Sequence, residues 1–173
     1  MLSSTDLPYD EPEISSRMGF RSRRVQEMQR RDQTVYDPTC GSGSLLLKVA
    51  DETEHGITIY GQEMDVATRG LAKMNMILHN NPTADIWQSN TLSRPHFKSE
   101  DGSLKRFDFV VANPPFSNKS WSIGFDPAND EYGRFDGFGI PPAKKGDYAF
   151  LLHLIKSLKS TGKGAQNIKE CAR

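Results

Sequence analysis

The chain has 173 residues and balances 22 Lys and Arg against 22 Asp and Glu, which excludes a chain-wide field that draws in nucleic acid and leaves such contacts to a local patch or a partner. Its length allows one core and excludes two sizeable domains. The two cysteines, Cys40 and Cys171, lie far apart and suit a reducing compartment; no apolar run nears the roughly 18 residues of a membrane span and no signal pattern opens the chain, so a soluble, cytoplasmic protein with no membrane partner is expected.

Residues 1–33 are polar, with Pro8, Pro12 and Gly19 followed by Arg21, Arg23, Arg24, Arg30 and Arg31. Such a run is either a solvated helix face or a nucleic-acid contact. Thr34-Val35-Tyr36 is β-prone and ends at Asp37-Pro38. The turn Thr39-Cys40-Gly41-Ser42-Gly43-Ser44 follows, and then the apolar stretch Leu45 to Ala50. Strand, glycine turn and helix is the order in which a nucleotide-like cofactor is held, because the glycines let the backbone approach a ligand and the opening helix amides point at it. The turn lacks the Gly-Lys-Ser/Thr ending of a phosphate-gripping loop.

Ile57-Thr58-Ile59-Tyr60 alternates like a strand and runs into Gly61-Gln62-Glu63. Glu63 stands about twenty residues after the glycine turn, where such folds clamp ribose hydroxyls; the alternative is that it caps the next helix. In that helix Ala67, Leu71, Met74 and Leu78 fall on one stripe, with Asp65 at the N-cap. Strand, helix, strand, helix predicts an α/β fold with a parallel sheet. Asp85 to Gln88 reads as a third strand, which puts Asn90 either against a base edge of the cofactor or in a plain turn. Residues 93–106 form a polar connection.

Phe107-Asp108-Phe109-Val110-Val111-Ala112 is a buried strand that must leave the sheet at Pro114 and Pro115, since neither proline can donate to a ladder. Asn113 is thereby presented at a carboxyl strand end, where open α/β sheets bind ligands. Its amide, the neighbouring carbonyls and the ring of Phe116 form a corner that suits an exocyclic amine on a planar ring. Accepting both amine hydrogens makes the nitrogen a nucleophile without a covalent enzyme intermediate.

From Ser117 to Gly146 the chain is rich in Pro and Gly and carries Trp121, Phe125, Tyr132, Phe135 and Phe138 among Lys119, Arg134, Lys144 and Lys145. These rings either meet an extruded base and its backbone or fasten the loop to the core. Asp147 is expected to cap a helix with Phe150, Leu151, Leu154, Ile155 and Leu158 on one face, ended by Gly162 and Gly164. His153 within it reads as a structural or surface residue, since no metal-ligand cluster accompanies it.

Asp37-Pro38-Thr39-Cys40-Gly41-Ser42-Gly43, Gly61-Gln62-Glu63, Asn90-Thr91-Leu92, Asn113-Pro114-Pro115-Phe116 and Lys145-Gly146-Asp147-Tyr148-Ala149-Phe150 follow one another in an order and spacing that resemble the modification subunits of type I restriction-modification systems. The resemblance covers residues 34–165. It implies a Rossmann-like class I methyltransferase fold and N6-adenine methylation of DNA with S-adenosyl-L-methionine, in company with a specificity subunit and a restriction subunit. By the same resemblance, Asp37, Gly41, Ser42 and Gly43 line the methionine end of the cofactor, Glu63 holds its ribose and Asn90 lies near its adenine. Asn113, Pro114, Pro115 and Phe116 form the catalytic corner, with Phe116 stacked on a base turned out of the duplex.

The chain departs from that family at both ends. Residues 1–33 lack the aromatic-Thr-Pro element that helps hold the cofactor, and residues 166–173 are polar and do not read as the family's next strand. The expectation is therefore a truncated domain with its C-terminal strands missing, which exposes the strand before Asn113 as a sheet edge. A non-catalytic remnant and a protein glutamine N5-methyltransferase, which uses a similar Asn-Pro-Pro-aromatic corner, remain alternatives.

Overall fold

The computed structural model of the chain describes residues 33–53, 56–115 and 120–167. The Arg21 to Arg31 cluster, Phe116 and Lys119 lie outside the described residues. In chain order the elements are β1 (Thr34–Asp37), α1 (Ser44–Asp51), β2 (Thr58–Glu63), α2 (Val66–Leu78), β3 (Asp85–Gln88), β4 (Phe107–Ala112), α3 (Gly146–Lys156) and β5 (Leu158–Gln166). They build a five-stranded sheet of order β3-β2-β1-β4-β5 with every pairing parallel. The chain winds outward from β1 to β3, then crosses back to β4 and β5. That reversal makes the carboxyl end of β1 and β4 the topological switch point, the place where such sheets bind ligands.

Alternation along β1 divides the core. Val35 joins Leu46, Ile59, Met76 and Ile86 beneath α1 and α2, whereas Tyr36 joins Phe97, Phe107, Val110 and Leu154 on the α3 side. Burying side chains such as Leu46 or Ile86 contributes about 1.5–3 kcal/mol each. Among the described residues no helix is long and apolar enough to cross a membrane.

Asp65 caps α2 as the sequence predicts, its carboxylate accepting from the Thr68 amide at 2.7 Å. The apolar stripe of α2, however, is not the buried face: Ala72 and Met76 point inward, and Leu71, Met74 and Leu78 are exposed. Polar tethers set this rotation. Asn75 Nδ2 donates to the Ser42 carbonyl at 2.9 Å and Arg69 Nε to the Ile86 carbonyl at 3.0 Å.

The C-terminal half corrects three expectations. Lys145, not Asp147, occupies the N-cap position of α3, and Asp147 sits in the first turn, where its charge favours the helix dipole. The buried face of α3 is Ala149, Phe150, Leu152, His153 and Leu154, while Ile155 is exposed. Leu154 packs toward the sheet and Ala149, Phe150 and Leu152 toward the long loop, so α3 is covered on two sides.

The third correction concerns the strand after α3, which is present: β5 begins at Leu158 and pairs with β4 through Gln166, so β4 is an interior strand. Gly162 and Gly164 do not end a helix. A Cβ on Gly162 would stand 2.9 Å from the Phe107 carbonyl oxygen, and one on Gly164 would stand 2.7 Å from Leu154 Cδ2, so glycine is what lets β5 lie this close to its neighbours. Gln166, assigned from sequence to a non-strand tail, closes the strand. Lys159 of β5 donates to the Asp108 carboxylate of β4 at 2.8 Å, an ion pair across the two strands.

Candidate active site

β1 delivers Asp37 to the rim, and Pro38 ends the strand. The Asp37 carboxylate is buried and accepts from the Thr39 amide at 2.8 Å. Burial pushes its pKa up to about 7; the Thr39 bonds oppose this and the nearby Glu63 charge adds to it. Burial likewise pushes the Cys40 thiol far up, which leaves it protonated and inert as a nucleophile.

The two glycines of the turn serve different needs. Gly41 has φ +55° and a Cβ there would meet nothing within 4 Å, so it is required for backbone conformation at an open crevice. Gly43, at φ +80°, begins α1, and a Cβ there would stand 2.5 Å from Met76 Cε. It does not line either crevice described below; its place is explained by turn and packing.

Glu63, at the end of β2, ties the turn to the next helix. One carboxylate oxygen accepts from the Gly41 amide at 3.0 Å and the other from the Asp65 amide at 3.0 Å. Each oxygen keeps a second lone pair for a ligand hydroxyl. Asn90, beyond β3, folds into a turn in which its Oδ1 accepts from Leu92 N at 3.0 Å, so its NH2 is the group left to donate.

The Asn113 corner stands on the same rim. β1 and β4 are adjacent parallel strands, paired Val35 to Phe109 and Tyr36 to Val110, so both turns leave the same edge of the sheet. Asn113 is exposed and Pro114 buried. Asn113 Oδ1 accepts from Asn167 Nδ2 at 3.2 Å, which leaves a second lone pair and the whole NH2 group available.

Two crevices meet at Asn113. One, of about 630 Å³, includes Asp37, Gly41, Ser42, Lys48, Asn113 and Gln166 in its wall. The other, of about 310 Å³, includes Glu63, Asn90, Asn113, Pro115, Trp121 and Phe150. The structure thus brings together Asp37, Gly41, Ser42, Glu63, Asn90, Asn113 and Pro115 around one rim. Trp121, which the sequence left between a base contact and a loop fastener, and Phe150, which it placed on the apolar face of a helix, are both wall residues here; Trp121 carried the signal of an aromatic close after the proline pair.

Arg134 is not available to a DNA backbone. It lies buried in an ion pair with Asp130, whose carboxyl is held below the ordinary range: burial opposes this, and the hydrogen bonds and charge of Arg134 prevail. Behind the rim runs a buried polar chain that periodicity did not reveal. Tyr36 Oη lies 3.3 Å from His153 Nε2 and 3.4 Å from Gln62 Oε1, and Gln62 Nε2 donates to Ser89 Oγ at 2.7 Å. Tyr36, Gln62 and Ser89 each immediately precede a rim residue, so the chain braces Asp37, Glu63 and Asn90 from below. Burial, reinforced by the Arg134 charge, depresses His153 to about 3, and the imidazole is neutral.

Comparison with known proteins shows the family and the fold. The family model described as N-6 DNA Methylase matches residues 20–170. The chain is 37% identical over 141 residues to the type I restriction enzyme MpnII methylase subunit of Mycoplasma pneumoniae, covering 76% of this chain and 26% of that protein. It is 34% identical over 138 residues to the HindI methylase subunit of Haemophilus influenzae, covering 75% and 29%. The chain thus spans about a quarter of the length of these curated relatives.

Among solved structures, the type I restriction-modification methyltransferase subunit from Streptococcus thermophilus superimposes with a TM-score of 0.67 at 37% identity, over 79% of this chain and 29% of that one. A class I S-adenosylmethionine-dependent methyltransferase from Listeria monocytogenes, at 16% identity over 85% of this chain and 43% of that one, shares the fold with a TM-score of 0.55. With a parallel Rossmann-like sheet, an Asn-Pro-Pro corner beside a glycine turn and a family match over most of its length, the chain belongs to the N-6 DNA methylase family.

Proposed function

We propose that this chain carries the catalytic rim of a DNA adenine N6-methyltransferase, the modification subunit of a type I restriction-modification system. The observation that carries this reading is that Asn113 walls both crevices and directly follows β4, the strand paired with β1, which ends in Asp37 and leads into the glycine turn.

The residues fit S-adenosylmethionine. Glu63 offers lone pairs to a ribose diol, Asn90 keeps an amide donor, and Leu92, Trp121 and Phe150 give apolar walls suited to a purine. Asp37 and the turn at Gly41 and Ser42 would hold the amino-acid end, where a ligand ammonium would draw the Asp37 carboxyl into its ionised form. When bound, the cofactor supplies an electrophilic methyl on a cationic sulfonium, which is an excellent leaving group.

The chain's own contribution is orientation. Asn113 Oδ1 and the Pro114 carbonyl would accept the two N6 hydrogens of a flipped adenine, which localises the nitrogen lone pair and fixes its direction. Phe116 is the proposed stacking partner for that base. Sequence reading in the assembled enzyme is assigned to a separate specificity subunit and cleavage to a restriction subunit.

The test is transfer of tritium from labelled S-adenosylmethionine to unmethylated DNA by the purified chain, with and without a specificity subunit. Transfer is expected and should vanish in Asn113→Ala. Label that still reaches DNA in that variant, or reaches a glutamine side chain of a protein instead, overturns the assignment.

A further inference from the structure

The segment between Ser120 and α3 carries five aromatic residues, and the fold sorts them. Trp121 and Phe135 are buried, and Phe125 packs on both with ring centroids 5.9 and 6.3 Å away. Tyr132 receives the cations of Lys98 and Arg134 against its ring. Phe138 is different: it makes no ring contact among the described residues and is 57% exposed.

Phe138 is held out rather than left slack. Its own amide and that of Gly139 both donate to the Phe135 carbonyl, at 3.1 and 3.0 Å. Gly137 and Gly139, on either side, have φ +80° and +81°, a conformation that L side chains rarely adopt. The exposed run Asp136 to Ile140 is braced at both ends. Phe135 anchors one end in the aromatic cluster; at the other Pro141 is buried and the Pro142 carbonyl accepts from Trp121 Nε1 at 3.2 Å. Trp121 also walls the crevice that includes Asn113 and Pro115, so the segment carrying the tip is tied to a residue of that crevice.

An exposed ring flanked by two residues without side chains is slim. It is too small for a protein-docking patch, which needs about 800 Å² per partner. It is suited to entering a stack of flat bases, as apolar wedges do in proteins that unstack DNA. We propose that Phe138, with Ile140 beside it, is the wedge that enters the base stack and fills the gap opened when the substrate adenine turns out into the Asn113 corner. This rests on the DNA adenine methyltransferase reading given above.

The test uses the full chain, S-adenosylhomocysteine and a short fluorescein-labelled duplex with one mismatched adenine, since a mismatched base costs least to extrude. Phe138→Ala should weaken binding about tenfold, within the range seen when a stacking aromatic is truncated. Phe138→Leu should recover part of the loss, and neither should shift the melting temperature. In Phe138→Trp, binding should persist and the added indole emission, measured against the unaltered chain, should be quenched as the duplex saturates.

Unchanged affinity in Phe138→Ala, or unchanged emission in Phe138→Trp while the duplex binds, overturns the wedge and leaves the DNA reading intact. An emission change on adding a specificity subunit without DNA, and none with DNA, assigns the tip to a protein partner and also overturns it. An unaltered chain that binds S-adenosylhomocysteine but no duplex, even with a specificity subunit present, overturns the DNA reading, and the wedge falls with it.

Discussion

Replacing Asp37 with Asn should tilt the pH dependence of folding stability, because the chain buries two titratable groups with opposing contributions. Asp37 rises from 3.8 to about 7 on folding, so the native state holds its proton more tightly than the unfolded chain does. Its contribution is greatest below the unfolded value and is lost as pH climbs toward the folded one. His153 falls from 6.5 to about 3, so its contribution is full above the unfolded value and is lost as pH drops toward the folded one. Each slope is about 1.4 kcal/mol per pH unit, and between 3.8 and 6.5 the two cancel. Asp37→Asn removes the falling slope, so stability should rise by about 3 kcal/mol from roughly pH 4 to pH 6.5. His153→Gln should give the mirror image. Urea midpoints at constant m-value across that range read the difference directly. An Asp37→Asn profile parallel to that of the unaltered chain would mean that the carboxyl titrates near its ordinary value and is not buried as described.

Asp130→Ala strands the Arg134 guanidinium and should destabilise the fold by about 3–5 kcal/mol, read by urea unfolding. Gly43→Ala forces a left-handed backbone and a clash with Met76, for a loss of about 1–3 kcal/mol; adding Met76→Ala should not restore the backbone part. Gly162→Ala meets the Phe107 carbonyl, so hydrogen exchange should quicken in β5 while β1 stays protected. Glu63→Gln should weaken S-adenosylhomocysteine about tenfold by calorimetry, in line with the loss of about 1.5 kcal/mol from a charge-assisted bond; an unchanged affinity removes Glu63 from the ribose role.

What was legible in the sequence was mostly local chemistry. Pro114 and Pro115 must end a strand wherever it lies, Gly41 must sit in a turn, and Asp65 can cap a helix through a bond to its own neighbour at Thr68. Those rules located most of the rim before any packing was known. The errors came from positions decided by distant partners. Periodicity found the stripe of Leu71, Met74 and Leu78, but it cannot say which side the core is on; Asn75 and Arg69, reaching to Ser42 and Ile86, decide that. Gly162 and Gly164 look like breakers because glycine usually is one, yet here they admit the close approach of β5 to β4 and α3. Arg134 reads as a phosphate contact until Asp130 is seen to enclose it.

The same division separates chemistry from stability at the rim. Asn113 is exposed and its Oδ1 accepts from Asn167, just past β5, so its substitution removes an acceptor without opening the core. Asp37 is buried one residue beyond Tyr36, whose hydroxyl joins the chain through Gln62 and His153, so its substitution alters both the crevice and the charge that the fold encloses. Loss of methyl transfer in Asn113→Ala therefore reports on the corner alone. Loss in Asp37→Asn reports on cofactor binding only when it is measured at a pH where the two proteins are equally folded. Urea midpoints of the two proteins locate that pH, because Asp37 titrates in one and is absent from the other while His153 contributes equally to both.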